Sequence, residues 1–232
     1  MVPVGDSAQK YRRPKALPLC WLAMRIIAGT FRSRPLAASP GMSTRPTSDR
    51  LRETLFNVLT PRIQDSARDS ASGGVAFLDL YAGSGAVGLE AISRGAARVT
   101  FVERAPAALK ILNSNLERLG ISSGVSVHAK SVSAFLKSAS LLDPKSANSK
   151  PASPKTKRYD VVFLDPPYEE AKEYAITLGL LGGVAQGILT PGAVVIAEHR
   201  RKQSLDEQYG NLKRTRVLEQ GDAALSFYAV QP

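Results

Sequence analysis

Asp165-Pro166-Pro167-Tyr168 puts a carboxylate, a rigid kink and an aromatic ring on four consecutive residues. Asp165 can accept a hydrogen bond from an amino group. Its carbonyl is followed by two proline nitrogens that carry no N–H, so it is free to accept a second. Tyr168 offers a flat face on which a base can stack. The four residues read as a catalytic clamp for a planar ring bearing an exocyclic NH₂. A strand followed by an ordinary Pro-Pro turn is the bland alternative. The residues just before the clamp, Val161-Val162-Phe163-Leu164, form an unbroken apolar run that predicts a buried strand. Consecutive prolines end it, because they cannot continue a sheet ladder. The clamp therefore sits at the carboxyl end of a strand, where open α/β sheets bind ligands.

A second motif precedes it. Gly83-x-Gly85-x-x-Gly88 follows the apolar run Phe77–Leu80 and matches a dinucleotide-type fingerprint. Glu103 lies twenty residues after Gly83, at the end of the next predicted strand, placed for ribose hydroxyls. Two enzyme classes use such a loop: nicotinamide or flavin oxidoreductases, and S-adenosylmethionine methyltransferases. Asp79, just before the glycines, favours the second. A carboxylate there repels a pyrophosphate but suits the ammonium of a methionine group. The amino-group clamp points the same way, since hydride transfer has no use for it. The expected cofactor set is Asp79, Gly83, Gly85 and Glu103, with Tyr81 and Ser84 as loop contacts.

These motifs need a βα framework, and the chain supplies one. Strands are expected at Val75–Leu80, Arg98–Glu103, Val125–Ala129, Tyr159–Asp165 and Ala193–Glu198. Helices are expected at Ala86–Arg94, Ala105–Leu119, Val132–Leu142 and Glu169–Leu181. Arg214–Gln220 and Ala223–Val230 flank Gly221-Asp222 and close the chain as an antiparallel pair. The expected fold is α/β, a Rossmann-like, mostly parallel seven-stranded sheet with an antiparallel C-terminal edge. It occupies residues 74–232, with a flexible, Pro- and Lys-rich insertion at 143–158. Upstream, residues 24–62 form a small hairpin-helix element. The alternating stretch 25–36 predicts the hairpin, with Gly29 near its turn. Leu51, Leu55, Val58 and Leu59 mark an amphipathic helix ended by Pro61, and residues 63–73 read as a linker. Residues 1–23 are expected to be a disordered or misassigned extension, with Met24 as the natural start.

The formal net charge is +11 over 232 residues, which predicts a polyanionic partner, nucleic acid above all. Residues 1–62 hold eleven Lys/Arg against three acids. Arg25, Arg32, Arg34, Arg45 and Arg52 are the expected phosphate contacts. One cysteine and two histidines leave no room for a disulfide framework or a Cys-based zinc site, so no metal is expected. No apolar run approaches the ~20 residues of a membrane span. A cytoplasmic monomer is expected.

The chain resembles the bacterial RsmD-type 16S rRNA (guanine(966)-N(2))-methyltransferases from about Met24 onward. Arg25-Ile-Ile-Ala-Gly29, Asp79-Leu-Tyr-Ala-Gly-Ser-Gly-Ala-Val-Gly-Leu-Glu90 and Asp165-Pro-Pro-Tyr168 carry the resemblance. Its most restricted motif is Arg45-Pro46-Thr47-x-Asp49-Arg50-x-Arg52-Glu53. The resemblance implies a methyltransferase fold with an N-terminal RNA element, and a substrate guanine amino group in 16S rRNA within a 30S assembly particle. Thr47 and Arg50 would close over the cofactor or position the RNA. One departure is clear. Where such enzymes carry Asp or Asn for the adenine amino group, this chain has Ser131. Asp-Pro-Pro-Tyr also serves adenine-N6 chemistry on DNA, so a DNA adenine methyltransferase is the enzymatic alternative. A non-catalytic RNA-binding assembly factor is the alternative from another class.

Overall fold

Five parallel strands form where β-branched and aromatic residues are concentrated, because helices cover both faces of this sheet. The computed structural model describes residues 24–38, 46–68, 73–140, 158–167 and 170–231. In chain order, helix α1 spans Pro46–Arg68, strand β1 Ala76–Leu80, α2 Ala86–Ser93, β2 Arg98–Glu103 and α3 Pro106–Leu119. Then come β3 Val125–Ala129, α4 Val132–Ser140, β4 Tyr159–Leu164, α5 Lys172–Leu181 and β5 Leu189–Arg200. The chain closes with β6 Gln208–Tyr209, β7 Leu212–Gln220 and β8 Ala223–Val230. The sheet order is β3-β2-β1-β4-β5-β8-β7-β6, with β3 to β5 parallel and β8, β7 and β6 antiparallel. An eighth strand appears beyond the expected seven because Gln208–Tyr209 folds back onto Leu212–Lys213 across Gly210, at φ +56°.

The pleat sorts the core into two layers. Phe77, Val99, Phe101, Val161, Phe163 and Ile196 face one side and meet α1, α2 and α3. Leu78, Leu80, Val162, Leu164, Val195 and Ala197 face the other and meet α4 and α5. The chain runs outward from β1 to β2 and β3, then crosses to β4. The topological switch point thus lies between β1 and β4, the place where such sheets open a ligand crevice.

The N-terminal segment is packed into the first of these layers. Ile26, Leu36, Leu51, Leu55, Phe56, Leu59 and Ile63 are buried with Phe77 and Phe101. Residues 25–36 fold back on themselves with one antiparallel bridge, Arg25 to Pro35, rather than a strand ladder. Helix α1 does not stop at Pro61 but continues to Arg68 through the stretch expected as a linker. Proline deletes one intrahelical hydrogen bond, yet Ile63 just beyond it is wholly buried, and that packing carries the helix on. The extension 1–23 and most of the 143–158 insertion lie outside the described residues. No described helix is long and apolar enough to cross a membrane.

Candidate active site

Side chains alternate along a strand, so the residues two beyond Phe101, Phe163 and Ile196 share the face of the α1–α3 layer. These are Glu103, Asp165 and Glu198. The register Asp79↔Phe101, Asp79↔Phe163 and Phe163↔Ile196 aligns them. Asp79 lies one pleat beneath, between Glu103 and Asp165. Four carboxyl groups thus line the carboxyl ends of β2, β1, β4 and β5.

They divide into two kinds. Asp79 is buried, and its Oδ2 accepts the Gly88 N–H at 2.8 Å, which ties the first turn of α2 to the end of β1. Burial pushes its pKa up to about 8, against the Gly88 hydrogen bond, with smaller contributions from Asp165 and Glu103. Glu103 accepts Gly83 N–H at 2.8 Å through Oε2, and Arg104 and Ala105 N–H at 2.8 and 2.7 Å through Oε1. These two carboxyls build the loop. Asp165 and Glu198, both half-buried, have carboxyls without a hydrogen-bond partner among the described residues. Burial raises Asp165 to about 7. Burial and the neighbouring Asp165 raise Glu198, while Arg52 pulls it down.

The glycine loop fits the close approach of a ligand. Gly83 and Gly85 take φ of +55° and +81°, which other residues adopt only with strain. A Cβ on Gly88 would lie 2.3 Å from the Phe101 ring, so α2 can pack on β2 only with glycine there. Ser84 is buried, with Oγ 3.6 Å from Met24 Sδ, and its carbonyl accepts Asn115 Nδ2–H at 2.9 Å. Asn115 in turn holds both backbone groups of Ala37. The N-terminal segment is therefore fastened to the loop itself.

Several expected contacts fall elsewhere. Tyr81 leaves β1 at φ +60°, and this turn sends its ring to the opposite face. There its hydroxyl meets Glu173 Oε2 and Thr177 Oγ1, each at 2.7 Å, so it is no contact of the loop's ligand side. Ser131 Oγ accepts the Ala134 N–H at 3.3 Å and caps α4. Arg52, an expected phosphate contact, is not on the exposed surface. It is only 5% exposed, because its guanidinium donates to the Arg25 carbonyl at 2.7 Å and to Asp49 at 2.8 Å. Arg25, Arg32, Arg34 and Arg50 are exposed. Pro166 is buried and Pro167 exposed. Tyr168, Arg45 and the Thr47 side chain lie outside the described residues.

Sequence reasoning missed Glu90 and Glu198. Glu90 is fully buried and accepts the Ile27 and Ala28 N–H groups at 2.7 and 3.0 Å and Arg94 Nε–H at 2.7 Å. Nothing local marks it. Glu198 was legible, because it ends a predicted parallel strand as Asp165 does. Across the crevice mouth, Arg104 pairs with Glu170. A cavity lined by Arg98, Thr100, Val125, Arg158 and Tyr159 opens at the other, amino-terminal end of the strands. Among the described residues, no group of three or more His, Cys, Asp or Glu is disposed to hold a metal ion.

A parallel sheet switching between β1 and β4, with a glycine loop at the switch and an antiparallel edge, defines a Rossmann-like methyltransferase fold. The chain belongs to the family described as conserved hypothetical protein 95, which matches residues 24–229, the RsmD-type family its motifs resemble. It is 34% identical over 207 residues to the ribosomal RNA small subunit methyltransferase D of Escherichia coli strain K12, covering 88% of this chain and 89% of that one. It is 34% identical over 183 residues to the protein of the same name from Haemophilus influenzae, covering 78% and 81%. A solved structure of a hypothetical protein from Thermus thermophilus superimposes with a TM-score of 0.66 at 29% identity, covering 90% and 99%.

Proposed function

We propose that this protein transfers a methyl group from S-adenosylmethionine to the N2 amino group of a guanine in 16S rRNA, guanine 966 by family resemblance, presented in a 30S assembly particle. The observation that carries this reading is the half-buried Asp165 carboxyl beside the switch point, directly before Pro166 and Pro167 and without a hydrogen-bond partner among the described residues. The names of the relatives supply the nucleic acid. The cofactor fits the residues present. Gly83 and Gly85 bring bare backbone to the ligand. Asp79 lies beneath the loop, and its ionised form matches an ammonium or sulfonium cation, whose arrival favours that form. Glu103 stands at the end of β2, where it orders the loop through Gly83 and keeps lone pairs for ribose hydroxyls.

When bound, the cofactor supplies an electrophilic methyl group. The protein's part is to make a poor nucleophile available. The guanine amino lone pair is conjugated with the ring. Acceptors at the Asp165 side chain and the Asp165 carbonyl draw its hydrogens out of plane and free the lone pair. Tyr168, next in sequence after the prolines, is placed to stack the base. As the amine becomes cationic, the ionised Asp165 stabilises the developing charge, then accepts or passes on the released proton. Orientation in such a site is worth about 7–11 kcal/mol of the barrier. The target base must be splayed out of its loop to reach the clamp.

The test is mass spectrometry of nucleosides from RNA and DNA incubated with the protein and labelled S-adenosylmethionine. N2-methylguanosine in the RNA is the expected product. N6-methyladenine in the DNA, with unmodified RNA, would replace this function with the adenine-directed one. An unlabelled product pool with tight RNA binding would favour a non-catalytic assembly factor.

A further inference from the structure

Methyl transfer through Asp165 leaves Glu198 without a part, yet Glu198 occupies the next strand end on the same face. Leu164↔Ala197 are in register, so Asp165 and Glu198 follow side by side on β4 and β5, whose axes lie about 4.8 Å apart. Glu103 and Asp79 each accept backbone amides at or beside the cofactor loop, whereas the carboxyls of Asp165 and Glu198 have no hydrogen-bond partner among the described residues. Open acceptors on the side of the crevice away from the cofactor loop are where a substrate ring must enter. The backbone of Glu198 is fixed, since its carbonyl accepts the hydroxyl of the buried Tyr174 at 2.8 Å.

Purine chemistry says what a second acceptor would read. The N2 amino group of guanine is flanked by N1–H, a donor. The N6 amino group of adenine is flanked by ring nitrogens that carry only lone pairs. A carboxylate next to an amino clamp attracts the first arrangement and repels the second. We propose that Glu198 accepts the N1–H of the target guanine while Asp165 holds the N2 amino group, so that two neighbouring strand ends select guanine over adenine. This rests on the function proposed above and assigns its base specificity to a residue.

Arg52 is the cation whose charge acts on Glu198. It stands buried on α1, with its Nε–H unpartnered among the described residues. Its charge favours the ionised form of Glu198 and offsets part of the rise that burial and Asp165 impose. Donation from N1–H favours the same form once the base is in place. Asp49, Glu90 and Arg94 are the other charged groups acting on Arg52.

The experiment compares single-turnover methylation of two small-subunit rRNA fragments, one with guanine and one with 2-aminopurine at the target position. 2-Aminopurine keeps the C2 amino group but has a lone pair in place of N1–H and lacks O6, so the response of the preference to Glu198→Gln is what assigns it to N1–H. Wild type should prefer guanine by roughly 10- to 100-fold, the worth of one charge-assisted hydrogen bond. Glu198→Gln presents an amide N–H and should lose guanine rate, with the preference shrinking toward unity or inverting. A contact made through O6 alone would leave the variant's preference as in wild type, and that result overturns the proposal. Equal rates of wild type on both fragments overturn it too, and this comparison stands even if the variant fails to fold. Calorimetric affinity for S-adenosylmethionine should be unchanged in Glu198→Gln. If wild type forms no N2-methylguanosine at all, the proposed function itself falls, and this role with it.

Discussion

A carboxyl buried as deeply as Asp79 opposes the folded state by an amount that depends on pH. Its pKa rises on folding from the ordinary 3.8 to about 8. Between those values the folded protein holds a proton that the unfolded chain has released, so stability falls as pH rises through that window. Asp79→Asn keeps an acceptor for Gly88 N–H and removes the ionisation. The cofactor-free variant should therefore outlast wild type on heating, by a margin that grows from pH 5 to pH 8, while binding S-adenosylmethionine more weakly. Calorimetric melts at both pH values check this, and a margin that does not change with pH would sink it. Asp165 works in the opposite sense for activity. It must be ionised to draw on the amino hydrogens, and burial holds it near 7. Single-turnover methylation by wild type should decline as pH drops through about 7, and Asp165→Ala should abolish transfer while RNA affinity stays near wild type. A rate that is flat from pH 6 to 8 would remove Asp165 from the step.

Elements place these carboxyls, and the N-terminal segment is one of them. Glu90 on α2 receives three donors, Ile27 N–H, Ala28 N–H and Arg94 Nε–H, in a fully buried position. Glu90→Ala would leave a guanidinium and two amides without their acceptor, a loss of about 3–5 kcal/mol. Denaturant unfolding should read that loss, and Glu90→Gln, which retains an acceptor, should lose less. Unchanged exchange of the Ile27 and Ala28 amides in Glu90→Ala would contradict the role of this anchor. Most of the parallel strands were legible because they are rich in apolar, β-branched and aromatic residues, and β3 because Val125 and Val127 alternate with polar residues. Asp165 and the glycine loop were legible because strand ends are marked in the sequence. Arg52 was not. It falls off the apolar stripe of α1 as a surface residue would, and only the meeting of α1 with residues 25–36 buries it against a backbone carbonyl. The run of α1 past Pro61 was hidden likewise, because Ile63 gains its burial from a sheet that is distant in sequence. Tyr81 misled because a non-glycine residue at φ +60° reverses its face, and the strand period gives no warning of it.

At the scale of the molecule, the charges are segregated. The chain carries +11 overall, yet Glu103, Asp79, Asp165 and Glu198 line the crevice. Those carboxyls of the floor that are ionised repel phosphates, so a polyanion must be held outside it while one base, without its backbone, is inserted. Two exposed arginines, Arg32 and Arg34, sit on the turn that docks against the C-terminal end of α2 through the Thr30 and Phe31 amides and Ser93. Their side chains are exposed and the anchoring is made by backbone groups, so removing both leaves the fold and the cofactor loop in place. Arg32→Ala with Arg34→Ala should weaken RNA binding and flatten its salt dependence by about 1.5 in log–log slope, two phosphate contacts' worth. Affinity for S-adenosylmethionine should hold, and methylation should recover at high RNA concentration, because the clamp is untouched. Filter binding across a salt series, with cofactor titration alongside, measures both. A double variant that keeps the wild-type slope would move the docking surface away from this turn, and the basic turn Arg200-Arg201-Lys202 would be the place to look next, since it follows the carboxyl end of β5, on the side of the sheet where Asp165 and Glu198 lie.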